Sequence, residues 1–379
     1  MTRRERLMAV LRGEPVDRPP VNFYEVGGFA VDPSDPDPYN VYNSPSWQAL
    51  LALAGERTDL IWMRAPGARP HVDHPAEEFY AAEVWEEGLS RFTRTTLTVA
   101  GRTMTAFSRR DAELNTGWTI EHFLKGPDDL EAYLQLPDEL FQRQPDVSNL
   151  VAEDEAVGDR GIVMVETGDP LCQAADLFSM ADYTVVALTE PRRFHRLLEK
   201  LARPAHEQTE IVARDFPGHL WRICGPEYAT EPYLPPKLFT EYVVRYTGPM
   251  VEAIQRHGGF ARLHCHGRLK AVLPAIASMR PAGLDPIEPP PQGDVLLADV
   301  RRNYGRDMVL FGNIEASDIE NLAPEKFEGV VAAALRDGTA GEGRGFVLMP
   351  SACPCGREIT PRAMANYETM LRLAERELL

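Results

Sequence analysis

Leu220–His264 reads LWRICGPEYATEPYLPPKLFTEYVVRYTGPMVEAIQRHGGFARLH, and the way this stretch divides sets the fold. Leu220–Cys224 is a short, largely apolar run stopped by Gly225-Pro226. Ala261–His264 is a second such run. Between them, Pro236–His257 places apolar residues at helical spacing behind a proline start. Strand, helix and strand in that order form the repeating unit of a parallel sheet, because parallel neighbours need a long crossover.

The unit recurs outward from this stretch in both directions. Strands are expected at Val21–Tyr24, Leu60–Arg64, Ile162–Glu166, Leu220–Cys224, Ala261–His264, Leu284–Glu288, Met308–Gly312 and Phe346–Met349. Most are aliphatic runs bounded by Gly, Pro or Asp, as buried parallel strands are. Helices are expected at Asp176–Leu188, Pro191–Asp215, Pro236–His257 and Pro324–Asp337, with a last one behind Thr360-Pro361. Eight strands with intervening helices predict an α/β fold, a closed (β/α)8 TIM barrel in one domain over residues 1–379. A doubly wound sheet would want a glycine-rich loop after its first strand, and there is none. One stretch breaks the rhythm. Residues 83–111 alternate polar and apolar side chains around Ala100-Gly101-Arg102, which predicts an antiparallel β-hairpin inserted between the second and third barrel strands.

Acidic residues outnumber basic ones by 57 to 40, giving a net charge of −17. That balance argues against nucleic acid or an anionic membrane as partner. Met1–Arg6 is charged, the apolar run behind it is too short for a signal peptide, and no stretch approaches the roughly 20 apolar residues that span a bilayer. The five cysteines are odd in number and unevenly spaced, which does not suggest a disulfide framework. A cytoplasmic protein with free thiols is expected.

Two motifs carry the chemistry. Leu263-His264-Cys265-His266-Gly267 ends the fifth strand. Alternate strand residues share a side, so His264 and His266 point to one place and Cys265 elsewhere. Such an imidazole pair suits zinc or another divalent transition metal, or else orients a substrate without metal. Pro350-Ser351-Ala352-Cys353-Pro354-Cys355-Gly356 follows the eighth strand, and Cys353 and Cys355 repeat the same spacing. Carboxylates fall at the same level: Glu25, Glu166, Asp169, Glu227, Asp285, Glu288 and Glu315. A ring of them could ligate a metal, move protons or neutralise a cationic group. Glu227, Glu166 and Asp169 are the preferred catalytic candidates. Tyr24, Trp62, Phe178, Tyr228, Tyr233 and Phe311 are candidate apolar walls.

Thr2–Val21, Pro232–Phe239, the His264–Gly267 strand end and the closing Thr360-Pro361 to Asn366-Tyr367 segment together resemble the uroporphyrinogen decarboxylase superfamily. The resemblance runs over nearly the whole chain and implies the same (β/α)8 barrel. The haem-pathway decarboxylase of that superfamily holds its substrate's carboxylates with an arginine-rich N-terminal motif. Here Asn22–Phe29 stands in that place, with no arginine between Arg18 and Arg57. An arginine-free, acidic mouth is a poor host for such a substrate. The other branch comprises corrinoid-linked methyltransferases, whose zinc site is written His-x-Cys with a distant Cys. In this chain His264 matches the first ligand, His266 replaces the usual cysteine, and Cys353 or Cys355 stands for the last. The resemblance thus implies a zinc-dependent methyltransferase moving a methyl group between a methoxy, methylamine or thiol compound and a cobalamin. The corrinoid would come on a separate protein, because no Asp-x-His-x-x-Gly motif occurs. A homodimer is compatible with this reading. The alternatives are a metal-free decarboxylase or lyase of a small acid, and a barrel that binds a ligand without catalysis.

Overall fold

The computed structural model describes residues 1–68 and 76–376. Thirteen strands are described: β1 (Leu60–Arg64), β2 (Gly67–Ala68), β3 (Tyr80–Glu87), β4 (Ser90–Val99), β5 (Arg102–Asp111), β6 (Gly117–Glu121), β7 (Pro145–Asp146), β8 (Gly161–Gly168), β9 (Leu220–Cys224), β10 (Phe260–His264), β11 (Gly283–Asp285), β12 (Val309–Ile314) and β13 (Phe346–Pro350). Seven of them form one curled parallel sheet in the order β1-β8-β9-β10-β11-β12-β13. These are seven of the eight strands expected from sequence.

The remaining expected strand, Val21–Tyr24, shrinks to a single parallel bridge between Val21 and Leu348. The cause is local. The Asn22 side chain accepts the backbone N–H of Glu25 at 2.6 Å, and Tyr24 and Glu25 both take positive φ, 53° and 56°. This Asx-type turn ends the extended backbone one residue after Val21. The bridge sits between the two edges of the sheet. Leu348 N–H donates to Pro20 and Asn22 N–H to Leu348, while Asp59 N–H, just ahead of β1, donates to Val21.

Successive strand residues feed two separate cores, as a period of two requires. Val163, Val165, Trp221, Ile223, Ala261, Leu263, Leu310 and Leu348 pack toward the helices. Ile61, Ile162, Met164, Leu220, Val309, Phe311, Val347 and Met349 form the inner core, joined by Leu7, Val10 and Leu11. Those three come from the helix Arg3–Arg12, which Thr2 and Glu5 start with a reciprocal capping box.

The helix Pro191–Asp215 has the bounds read from sequence. The expected Asp176–Leu188 helix instead starts at Met180, because the Ser179 hydroxyl caps Asp182 N–H at 3.1 Å. The insertion is larger than a hairpin. β4 and β5 are the expected pair, turning at Ala100 and Gly101 with φ of 50° and 76°, and β3 and β6 flank them to give four antiparallel strands. Trp85, Phe92 and Phe107 stack across three of them with ring centroids 5.6 Å apart. Among the described residues, no helix is long and apolar enough to cross a membrane.

Candidate active site

The inner face changes character along the strands. Two residues beyond apolar Met164, Leu220 and Phe260 come Glu166, Arg222 and Arg262. Glu166 is opposite Arg222 in the β8–β9 register, and Arg222 opposite Arg262 in β9–β10. One step further, His264 lies opposite Cys224 on β9 and Asp285 on β11. The sheet therefore stacks a charged layer on an apolar one, and an imidazole layer on that, toward the C-terminal strand ends.

The charged layer is tied together by ion pairs, although Glu25 Oε2, Glu166 Oε2 and Arg222 Nε are buried without a hydrogen-bond partner among the described residues. Arg262 and Asp285 are both 0% exposed. Arg262 Nη2 donates to Glu25 at 2.9 Å, and its Nε lies 3.0 Å from Asp285 Oδ1. The guanidinium stands over the Phe311 ring, 4.9 Å from its centroid, a cation–π placement. Arg222 Nη1 bonds Glu166, and Nη2 donates to the Tyr24 hydroxyl at 2.8 Å. Burial pushes Asp285 up, but Arg262 and His264 outweigh it and hold the carboxyl well below the usual range.

His264 Nδ1–H donates to Asp285 Oδ2 at 2.7 Å, which leaves Nε2 as an acceptor. The Tyr24 hydroxyl lies 3.5 Å from that nitrogen, at the outer limit of a hydrogen bond. Burial pulls the imidazole down to about 3 despite Asp285, so the ring is neutral. His266 Nδ1 lies 2.9 Å from Glu288 Oε1, and the other Glu288 oxygen accepts Gly267 N–H at 2.7 Å. Burial lowers His266, yet the Glu288 bond more than offsets it and the net shift is upward. The two rings are 4.5 Å apart and perpendicular. Cys265 is fully buried on the helix side. The paired histidines and the outward cysteine are placed as the alternation requires.

The other sequence candidates are less uniform. Glu166 is on the inner face, and burial raises its carboxyl against the pull of Arg222. It also lines a cleft of about 450 Å³ with Arg143, Gln173 and Gln208. A larger cavity, about 650 Å³, opens at the opposite end of the strands, where Phe260 begins β10; it is remote from this chemistry. Glu227 accepts Gly225 N–H at 3.0 Å and is raised by burial. Asp169 is a helix cap. Its Oδ1 accepts Cys172 N–H at 2.7 Å, its Oδ2 accepts the Thr247 hydroxyl at 2.8 Å, and it is 0% exposed. Burial raises it to about 7. Cys353 is half-buried, its thiol pushed up to about 11 by burial and then by Glu25. Cys355 is exposed, and its carbonyl ties the loop to Asn115.

Both histidines resemble prepared metal ligands in fixing Nδ1 on a carboxylate, although His264 Nε2 meets the Tyr24 hydroxyl at 3.5 Å. The count falls short: among the described residues, no three His, Cys, Asp or Glu side chains gather closely enough to hold one ion. The donors suit zinc in kind and not in number.

Sequence reasoning missed Arg222 and Arg262, and with them its arginine-free mouth is corrected. They come from β9 and β10, not from the N-terminal segment that was searched. The signal was present, an arginine two residues before the end of two adjacent buried strands. Both guanidiniums already have carboxylate partners of this chain.

No curated protein matches the chain. Over 100% of both chains, the structure is similar to a methyltransferase from Methanosarcina mazei, at 19% identity and a TM-score of 0.63. A broad-specificity endoglucanase from Bacteroides salanitronis aligns over 63% of this chain and 78% of its own, at 10% identity and a TM-score of 0.32. Residues 112–366 match the family described as uroporphyrinogen decarboxylase (URO-D). With two thirds of its length covered by that match, the chain belongs to the uroporphyrinogen decarboxylase family.

Proposed function

We propose that this chain is a cytoplasmic methyltransferase, built on a (β/α)8 barrel whose first strand is reduced to the Val21 bridge. It would move a methyl group between a small molecule in the strand-end mouth and a corrinoid carried on a separate protein. The observation that carries this reading is the His264–His266 pair, with each Nδ1 anchored and each Nε2 left for a ligand. A fold shared along its whole length with a methyltransferase supports it. Zinc on His264, His266 and Cys353 or Cys355 belongs to the same reading.

The chain's own residues supply positioning and protons. Arg222 donates to Tyr24, Tyr24 faces His264, and His264 donates to Asp285. Each donor in this series is aimed, so the tautomer of His264 is fixed. The long Tyr24–His264 contact is where a substrate oxygen or nitrogen would insert. An ether oxygen or neutral amine nitrogen that gives its methyl to the corrinoid keeps the electron pair of the broken bond and needs a proton, whereas an ammonium leaves as a neutral amine. Glu166 and Glu227, both raised by burial, hold a proton nearer to neutral pH than ordinary carboxyls and would deliver it.

Methoxy, methylamine and thiol compounds should be incubated with the protein and a cobalamin, with transfer followed by cobalamin absorbance. At least one class should react, and His264→Ala should cut the rate about a hundredfold or more, in the range of losing a positioned acid–base group. Untagged protein should carry close to one zinc per chain. Folded protein with little zinc would remove the metal from the reading. Carbon dioxide released from a small acid, with no methyl transfer, would replace it with a decarboxylase.

A further inference from the structure

Four neighbouring strands each deliver one polar side chain to the same arc of the mouth. Glu227 follows β9, His266 follows β10, Glu288 follows β11 and Glu315 follows β12, and these strands lie side by side in the sheet. Three carboxylates thus face one imidazole. The arc's hydrogen bonds show how little positive charge it has. Glu288 is committed to His266 and Gly267 N–H. Glu227 accepts the Gly225 N–H. Glu315 accepts the Ser351 hydroxyl at 3.3 Å with one oxygen.

Its other oxygen, Oε1, is buried and has no partner among the described residues, although Glu315 is only 7% exposed. The charges that Glu315 feels most are Glu288, Asp318 and His266. Arg222 and Arg262 do not supply the missing charge, because their bonds go to Glu166, Glu25 and Asp285. A buried carboxylate oxygen without a donor is costly, and a bound cation removes that cost.

We propose that the Glu227–His266–Glu288–Glu315 arc binds an organic cation, an alkylated ammonium: its N–CH3 bond breaks, the methyl passes as a cation to the reduced corrinoid to form a Co–CH3 bond, and the nitrogen keeps the electron pair and leaves as a neutral amine. The proposal rests on the methyltransferase reading and names its substrate class. A quaternary or tertiary ammonium suits the arc better than a metal ion does. Metals need donors converging on a point, and no three such side chains converge among the described residues. An alkylated ammonium spreads its charge over its methyl groups and is held by the field of carboxylates placed around it.

Calorimetry on the full chain at fixed ionic strength provides the test, with tetramethylammonium as probe, tert-butanol as its neutral isostere, and zinc chloride. Tetramethylammonium should bind and tert-butanol should not. Glu315→Gln and Glu227→Gln should each weaken binding about tenfold, the size expected for one nearby charge. Glu83→Gln, on the exposed edge of the inserted sheet, should leave binding unchanged. Melting curves show which variants fold, and Glu227→Gln carries the test alone if Glu315→Gln does not. No tetramethylammonium binding, binding matched by tert-butanol, or binding unaffected by both variants would each overturn the proposal, as would stoichiometric zinc that excludes the ammonium. The assay contains no corrinoid, so its outcome separates from that of the parent reading. Binding without methyl transfer would sink the methyltransferase, and methyl transfer without binding would sink the cation site.

Discussion

Arg262 is fully buried beneath the histidines, and two carboxylates, Glu25 and Asp285, keep it there. Removing one partner of a buried pair is far more damaging than the pair's net worth, because the remaining charge stays desolvated. Asp285→Asn is therefore expected to cost about 3 kcal/mol of stability in urea unfolding, and to free His264 from its fixed tautomer. The pH dependence has a definite sign. Asp285 is held below the ordinary carboxylate range when folded, so the unfolded chain takes up its proton first. Its contribution is present above about pH 4 and lost as pH falls below that. His264, neutral when folded and pulled to about 3, adds a loss of the same sign, beginning as pH drops through about 6.5. The stability advantage of wild type over Asp285→Asn in urea unfolding should therefore shrink as pH falls below about 4, and an advantage that stays the same between about pH 6 and about pH 3 would contradict this account. The histidines were legible because strand alternation alone orients them. The arginines beneath were not, since a charged residue inside an apolar run reads as a strand edge until its partners on other strands are known.

At the scale of elements, strands were more legible than what joins them. Buried parallel strands advertise themselves as apolar runs, and seven appear where the runs are. Val21–Tyr24 failed as a strand because Asn22 captures the Glu25 N–H, a contest between side chain and ladder that apolarity does not report. Asp169 shows the same limit for function. A carboxylate at a strand end, followed by Pro170, is both a catalytic candidate and a helix cap in sequence, and its bonds to Cys172 N–H and Thr247 make it a cap. A capping role separates two substitutions. Asp169→Asn keeps an acceptor for Cys172 and should leave turnover within about threefold of wild type, while Asp169→Ala should lose about 2 kcal/mol of stability. Turnover assays with thermal melts would show this, and a large rate loss in folded Asp169→Asn would restore the catalytic role.

At the scale of the whole molecule, Asp59 holds the two ends of the sheet in place. Its carboxylate, 0% exposed, accepts Arg6 at 2.6 Å, Arg18 at 2.8 Å and Val21 N–H at 2.9 Å. The same residue thus ties the N-terminal helix, the bridge segment and β1 together. Asp59→Ala would take the carboxylate from Arg18, leave Arg6 to Asp17 alone and free the bridge. A loss of about 3–5 kcal/mol is expected in urea unfolding, and amide exchange should speed up first at Asn22 and Leu348, whose N–H groups make the bridge bonds. A loss below about 1 kcal/mol would mean that solvent screens the network.

The Val21–Leu348 bridge also orders events in time. During synthesis, Val21 leaves the ribosome long before Leu348 exists, so the N-terminal helix and its bridge segment must wait with an unfilled edge beside them. The inner core, which includes Leu7, Val10 and Leu11 together with Val347 and Met349, is completed only once those last two residues have been made. A chain released before Leu348 would have an open seam, the kind of species that holdase chaperones retain and strand edges aggregate through.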